Sequence, residues 1–278
     1  ETTEVFQNIC GSDFPFQRVQ GFVIDKGLFA PFSAVNANKT WMMIGGGTNE
    51  SPAIWAFSGS DFEKISTTAI DSILQGFTRE EIEASFSYTY AQKGAYFVAF
   101  SLPTTTLVID TITGAWHERK SQVVNSNGIT ETLRQRTNSL VTAYNRVLVG
   151  DSVDGRIGQM DPETYTEYGS NIIRTAVTQP FADKGNSINV ADLEFVFESG
   201  VGNEAVPNPL VRMSTSIDGK TFTDERPLPL GKVGEYNRRA IRRRLGRFPR
   251  MALIKLVMSD AVKPVYIALY GRLKIGQR

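Results

Sequence analysis

Seven arginines lie close together near one end of this sequence and form its densest local charge. The stretch reads NRRAIRRRLGRFPR, and its arginines are Arg238, Arg239, Arg242, Arg243, Arg244, Arg247 and Arg250. Guanidinium groups pair with carboxylates across protein contacts and with the phosphates of nucleic acids. Because the formal net charge of the chain is only +1, this positive charge is a local feature. The first functional question is which molecule these arginines bind.

The local structure of this stretch follows from its apolar residues and its charge spacing. In a helix, Arg238 and Arg242 would lie four residues apart on one face and repel each other. In a strand, Ile241, Leu245 and Phe248 would not keep the two-residue period of a buried face. The sequence therefore predicts a loop with a short helical turn.

Three partners can be proposed for the arginines. Reading of a base sequence is not indicated, because only Tyr236 and Phe248 lie nearby to contact bases. Non-specific contact with DNA would depend strongly on salt. A protein interface is favoured, since a neighbouring copy could present the acidic stretch REEIE (79–83) to the arginines. A solvated basic loop is the third alternative.

The other residues capable of chemistry do not form a recognisable site. Cys10 and His117 are the only residues of their types, which excludes an intrachain disulfide and a thiolate metal cluster. His117 lies in TGAWHERK, which is typical of a hairpin arm, so a structural role is predicted. Asp151 and Asp154 beside Gly155 resemble part of a calcium loop, but the later ligands are missing and a turn is favoured. We predict no catalytic, metal or cofactor site.

The composition is that of an ordinary globular protein, with 41% hydrophobic and 21% charged residues. Nearly equal numbers of basic and acidic residues, 30 and 29, indicate no partner by overall charge. No apolar run approaches the ~18 residues that span a bilayer, so no membrane insertion is predicted.

Three segments repeat one layout of two hairpins. They are FSAVNANKTWMMIGG with PAIWAFSGSDFEKIST, FSYTYAQKGAYFVAFS with TTLVIDTITGAWHERK, and NSLVTAYNRVLVGDS with GRIGQMDPETYTEYG. Phe62, Trp116 and Tyr165 close the three repeats, and Phe222 closes a similar later hairpin. This spacing of about 50 residues is typical of four-stranded propeller blades. A β-sandwich with several hairpins is the alternative.

The sequence thus predicts an all-β fold of β-propeller-like repeats, each a four-stranded antiparallel blade, with a C-terminal β module. Residues 1–187 are assigned to the blades, and residues 188–278 to the β module or to ring-closing strands. One segment, TTAIDSILQGFTREEIEASFSY, has helical spacing and a capping threonine at Thr78. It predicts one or two short helical turns between blades.

Two stretches carry a resemblance to a known family. YNRRAIRRRLGRF through LIKLVMSDAVKPVYIALYGRLKI, and SLVTAYNRVLVGDSVDGRIGQMDPETYTEYG, resemble the tail hub proteins of short-tailed, P22-like bacteriophages. These are also known as packaged DNA stabilisation proteins. Members of that family are longer and this chain begins at Glu1, so we expect that upstream blades are missing here.

The resemblance implies a structural virion protein rather than an enzyme. Such hubs form a homo-oligomeric ring, hexameric in the family, below the portal and its adaptor. The ring extends the DNA channel, helps retain the packaged DNA and supports the needle and tailspike proteins. The implied location is the phage tail, with the host cytoplasm as the site of assembly. The seven arginines would contact a neighbouring subunit or the adaptor, or line the channel facing DNA.

Two other classes of propeller remain as alternatives. A carbohydrate-acting or glycan-binding propeller would gather carboxylates and aromatic residues at one end of the propeller axis. The sequence offers two paired carboxylates, Asp61 with Glu63 and Asp224 with Glu225. A propeller scaffold for protein partners would need neither pair.

Overall fold

The computed structural model describes residues 2–276, and most of them form antiparallel β-sheets. The chain divides into two compact units, Glu1–Pro162 and Glu163–Arg278. The all-β fold predicted from the turn spacing is confirmed. The predicted domain boundary at residue 187 coincides with the start of a strand at Ser187, and it stays a prediction.

The first unit contains the described strands β1–β15 and two short helices. In chain order they are β1 Thr3–Asn8, β2 Phe16–Ile24, β3 Gly27–Leu28, β4 Val35–Ala37, β5 Thr40–Gly46, β6 Ala53–Phe57, β7 Phe62–Lys64, α1 Thr68–Gln75, α2 Arg79–Glu83, β8 Phe86–Gln92, β9 Ala95–Ser101, β10 Thr106–Asp110, β11 Trp116–Val124, β12 Thr130–Arg134, β13 Thr137–Ala143, β14 Arg146–Asp151 and β15 Ile157–Gln159.

Successive hairpins build three larger sheets in this unit. The first contains β3 to β7, the second has the order β12-β11-β10-β9-β8, and the third has the order β13-β14-β15. The apolar strands β5, β9 and β14 each pair with strands on both sides. The turn residues Asn38 and Lys39, and likewise Tyr144 and Asn145, have positive φ angles. Two-residue hairpin turns require such angles, which explains how these short sequences set the strand register.

Two hydrophobic cores join these sheets. The first sheet and the second sheet contribute to one core with both helices, and its fully buried members include Ile44, Ile54, Leu74 and Phe100. The second sheet contributes Tyr88 and Tyr90 from β8 to another core, against which residues of the third sheet pack. Packing of neighbouring sheets face to face is the arrangement expected between propeller blades.

The helical prediction is confirmed at the level of individual caps. The Thr78 side chain accepts from the Glu81 N–H, and the Glu81 carboxylate accepts from the Thr78 N–H at 2.8 Å. This capping box satisfies two N–H groups that have no partner inside the helix. Within residues 2–276, no helix is long and apolar enough to span a bilayer.

The predicted third blade is wrong in one strand. The segment that contains Tyr165 is predicted to complete the third sheet, but Tyr165 lies outside the strands and Thr166–Glu167 pairs with Ser170–Asn171 instead. The similar hairpin ending at Phe222 is also not a blade, because its first strand, Leu210–Ser216, belongs to a sheet of the second unit. Turn spacing identifies hairpins, but it does not identify the sheet that each one joins.

The second unit is built from two packed sheets. Its strands are β16 Thr166–Glu167, β17 Ser170–Asn171, β18 Arg174–Val177, β19 Phe181–Ala182, β20 Ser187–Phe197, β21 Leu210–Ser216, β22 Arg226–Pro229, β23 Ala240–Phe248, β24 Met251–Met258 and β25 Tyr266–Gly276. One sheet has the order β23-β20-β25, and the other has the order β18-β24-β21-β22 with β19 beside β24. Alternating apolar residues of both sheets fill one core, as in a β-sandwich.

Candidate functional site

Most of the arginine-rich stretch, Ala240–Phe248, is a strand, so the predicted loop with a helical turn is wrong there. It forms β23 and pairs with β20 in antiparallel register. Val190 pairs with Gly246 and Asp192 pairs with Arg243, so two residues of β23 lie opposite Ala191 alone. One of the two, Arg244, has a positive φ of 57°. This β-bulge interrupts the alternation of the strand, which explains why its apolar residues do not keep a period of two.

The sheet that contains β23 places charged residues in rows on its outward face. Residues paired directly across antiparallel strands project to the same face. Arg243 and Arg272 flank Asp192, and Arg247 and Lys274 flank Asn189, on either side of the central strand β20. The inward face is mostly apolar, where Phe248 pairs with Ile188 and Ala240 pairs with Phe195, and Arg242 lies on it beside the buried Leu193. We name the three rows through Asn189, Asp192 and Glu194 the basic face.

Both acidic residues of the basic face are held by arginines. The Arg239 Nε donates to Glu194 Oε1 at 2.6 Å, and its Nη2 contacts Oε2. The Arg272 Nε donates to Asp192 Oδ2 at 2.7 Å. Arg272 lowers the pKa of Asp192, and the nearby Arg243 and Arg239 add to this effect. Arg239 lowers the pKa of Glu194 in the same way. Both carboxylates are therefore ionised and already paired at neutral pH.

The seven predicted arginines divide into three groups by their surroundings. Arg238 and Arg239 are engaged in ion pairs with Glu235 and Glu194. Arg242 is half-buried beside Leu193, and its Nε has no hydrogen-bond partner within residues 2–276. The remaining four are exposed and form no ion pair in the described part of the chain; they are Arg243, Arg244, Arg247 and Arg250.

Arg272 and Lys274 share the basic face but are not among the site residues predicted from the sequence. Both lie on β25, in the stretch YIALYGRLKI, where charged residues alternate with Leu273 and Ile275. That alternation could have shown that Arg272 and Lys274 lie on the same face of β25. It could not have shown that β25 lies beside β20, because the two strands are about eighty residues apart in the sequence.

Four of the other residues considered for chemistry have structural partners. Asp61 lies in a turn, where its Oδ1 accepts from the Phe62 N–H at 2.7 Å. Glu225 pairs with Arg212 at 3.1 Å. Asp151 is buried against Arg136, and Asp154 pairs with Arg156 at 2.6 Å. No group of three or more potential metal ligands lies together within the described residues. The turn predicted at Asp151 and Asp154 is confirmed between β14 and β15.

Two family models match this chain, one in each of its two structural units. A family model described as "Bacteriophage P22 Gp10, beta-propeller" matches residues 1–165, which is more than half of the chain. This chain belongs to the bacteriophage P22 Gp10 family. A second model of that family, described as a beta-sandwich, matches residues 174–273. The propeller fold and the resemblance to tail hub proteins are confirmed, and the C-terminal β module is a sandwich.

One curated member of the P22 Gp10 family can be compared directly. The tail hub protein gp10 of Salmonella phage P22 is 20% identical over 234 residues. The match covers 84% of this chain and 48% of that protein, so the chain spans about half the length of its curated relative.

Solved structures add no argument about function. An exo-beta-1,3-galactanase from Phanerochaete chrysosporium is 12% identical, with 86% of this chain and 56% of that chain covered at a TM-score of 0.21. An arabinoxylan arabinofuranohydrolase of glycoside hydrolase family 43 from Bacillus subtilis is also 12% identical. In that case 90% of this chain and 55% of that chain are covered, again at a TM-score of 0.21. Scores this low do not establish a shared fold.

Proposed function

We propose that this chain is a structural component of a short-tailed bacteriophage tail and not an enzyme. The observation that carries the proposal is the agreement between both family models and the two structural units, in chain order. The curated relative is a tail hub protein, which gives the class of structure. The paired carboxylates considered for glycan chemistry do not argue against this proposal, since Asp61 and Glu225 serve a turn and an ion pair.

In its finer form the proposal describes a hub ring. Copies of the chain would form a homo-oligomer, hexameric as the family resemblance implies, below the portal and its adaptor. The ring would extend the DNA channel, help retain the packaged DNA and support the needle and tailspike proteins. The chain would be assembled in the host cytoplasm and then reside in the virion tail.

The exposed arginines are the residues that we assign to contacts in this assembly. Arg243, Arg244, Arg247 and Arg250 would meet a neighbouring subunit, the adaptor or DNA. Arg238 and Arg239 would support them, because both are already engaged by acids of the same chain. Arg242 is half-buried, so its replacement would test folding as well as contact.

Native mass spectrometry of the purified chain tests the ring. We expect a discrete oligomer at about 150 mM salt that dissociates as salt rises, because charge pairs at exposed contacts are screened. The variant R243S/R244S/R247S would lower the oligomer fraction if these residues hold subunits together. The control R146S/R226S removes exposed arginines that form no ion pair within residues 2–276. A monomer at every protein and salt concentration would contradict the ring for this chain.

A further inference from the structure

Three cations of the basic face have no partner on the face itself. Arg243 and Arg247 project from β23, and Lys274 projects from β25, on the two sides of Asn189 and Asp192. All three are exposed, and none forms an ion pair in the described part of the chain. The two carboxylates nearby are occupied by Arg239 and Arg272. The face therefore has a net positive charge that is not neutralised locally.

A second copy offers no matching acidic surface through the helix that the sequence suggested. On α2, the Glu81 carboxylate accepts from the Thr78 N–H, and Glu83 pairs with Arg79 at 2.8 Å. Only Glu80 of its three glutamates is without such a bond within residues 2–276. Glu81 keeps its charge in the capping box and Arg79 offsets one of the three glutamates, so REEIE has a net charge of −2 and does not balance the basic face.

The composition of the basic face also differs from that of a protein interface. Protein interfaces have an apolar centre with a polar rim. Here the apolar side chains among the three rows are Ile241 and Tyr270, and both lie in the row of Glu194. The rows through Asn189 and Asp192 are entirely polar or charged. Surfaces that bind nucleic acid are more polar and more positively charged than protein interfaces.

We propose that the basic face binds the phosphate backbone of DNA without reading its sequence, through Arg243, Arg247 and Lys274. Strands about 4.8 Å apart, with a rise of about 3.4 Å per residue, place these cations within reach of neighbouring phosphates. Arg239 and Arg272 act as positioning residues, because they neutralise the two acids that would otherwise repel phosphate. The inference rests on the proposed function in its choice of DNA as the polyanion.

Fluorescence anisotropy with a short labelled DNA duplex tests the proposal. Three phosphate contacts predict that log K falls with log salt at a slope of about −2.7, measured between about 50 and about 200 mM. The variant R243S/R247S should reduce the magnitude of this slope by about two, and K274S should reduce it by about one. Duplexes of different sequence should bind with equal affinity.

The control variant distinguishes binding by the basic face from a general effect of positive charge on DNA binding. R146S/R226S removes the same charge as R243S/R247S from other exposed positions, and it should bind DNA as the unmodified chain does. Equal binding by both double variants would overturn the proposal. Loss of oligomers in R243S/R247S with unchanged DNA binding would also overturn it and assign the face to a protein partner. DNA binding by a chain that stays monomeric would support the face while contradicting the ring.

Discussion

Arginines have two different roles in this chain. A buried arginine such as Arg136 stabilises the fold by pairing with a buried carboxylate, whereas an exposed arginine such as Arg243 is available to bind a partner. Arg136 is 11% exposed, and its Nε donates to Asp151 Oδ1 at 2.9 Å, while the Asp151 side chain is completely buried. The backbone is anchored as well, because the Arg136 N–H donates to Ser121 Oγ at 3.1 Å. The Ser152 N–H donates to the Arg136 carbonyl at 2.8 Å. This pair fixes the loop that leads into the third sheet, whereas Arg243 remains exposed to solvent.

Removing Arg136 should be strongly destabilising. In R136A the buried Asp151 carboxylate would lose its closest cation and keep only the Arg156 Nη2 at 3.8 Å, which costs at most about 3–5 kcal/mol of unfolding free energy. The matched control R146A, on the exposed end of β14, should change it by less than about 0.5 kcal/mol. Urea unfolding of both variants measures the difference. Equal stability of the two would show that Asp151 is not held by charge pairing.

His117 should make stability depend on pH in acid. The pKa of His117 is lowered from 6.5 to about 4, first because its imidazole is partly desolvated although the residue keeps an exposed surface, and then because Arg119 lies beside it. The Arg119 Nε donates to His117 Nε2 at 3.2 Å, and this acceptor is lost when the imidazole is protonated. The unfolded chain therefore binds a proton more readily than the folded chain between about pH 6.5 and 4. Stability falls across this window as pH decreases.

The variant H117Q should remove this part of the pH dependence. We expect the curve of unfolding free energy against pH to be flatter between about 4 and 6.5 than in the unmodified chain. Above pH 6.5 the two curves should run parallel, since His117 is then neutral in both states. An NMR titration of the imidazole with a midpoint near 6.5 would contradict the lowered pKa.

At the scale of elements, the bulge in β23 decides how the arginines are distributed. Arg244 and Gly246 both have positive φ angles, 57° and 88°. Together with the extra residue opposite Ala191, they set the register that places Arg243 opposite Asp192 and Ala240 opposite the buried Phe195. Pairing without the extra residue would place Arg243 opposite the buried Leu193.

The two positive φ angles predict opposite effects for two substitutions. G246A should lower the unfolding free energy by about 1 kcal/mol, because a side chain is strained at this φ. No atom lies within 4 Å of the added Cβ, so the cost is conformational and not a clash. R244G should raise stability or leave it unchanged, since glycine relieves the same strain. Urea midpoints of both variants test the bulge, and a stabilising G246A would contradict it.

At the scale of the whole molecule, each unit has a core of its own. The sandwich core takes residues from both of its sheets, including Leu193 and Phe195 on β20 and Met213 on β21. Burial of this apolar surface is the main stabilising contribution to such a unit. The basic face is therefore positioned by a core that lies directly beneath it in the same sheet.

Shortening a fully buried side chain in this core should destabilise the sheets of the sandwich. M213A should cost about 3 kcal/mol, since Met213 is 1% exposed and its loss leaves a cavity. The control L210A changes a residue that is 40% exposed on the same strand and should cost much less. Hydrogen exchange of the β21 and β24 amides measures both. Similar protection in the two variants would contradict the assigned core.

The sequence by itself determined most of the hairpins, their turns and the family, but not the strand β23. Alternation, turn residues such as Asn38 and Lys39, and the cap at Thr78 are local signals, since each depends on residues a few positions apart. They were enough to predict hairpins, propeller-like repeats and two short helices. The spacing of aromatic residues was also local, and for that reason it misplaced the segment of Tyr165 in the third sheet.

Only the tertiary structure decided the candidate site. The bulge of β23 depends on its pairing with β20, and the placement of Arg272 and Lys274 depends on β25 pairing with the same strand from far along the chain. Arg239 and Arg272 are neutralised because the fold brings Glu194 and Asp192 beside them. Contacts of this kind arise from long-range packing, which local propensity does not encode. The sequence showed that the arginines are present, and the fold showed which of them are free to bind.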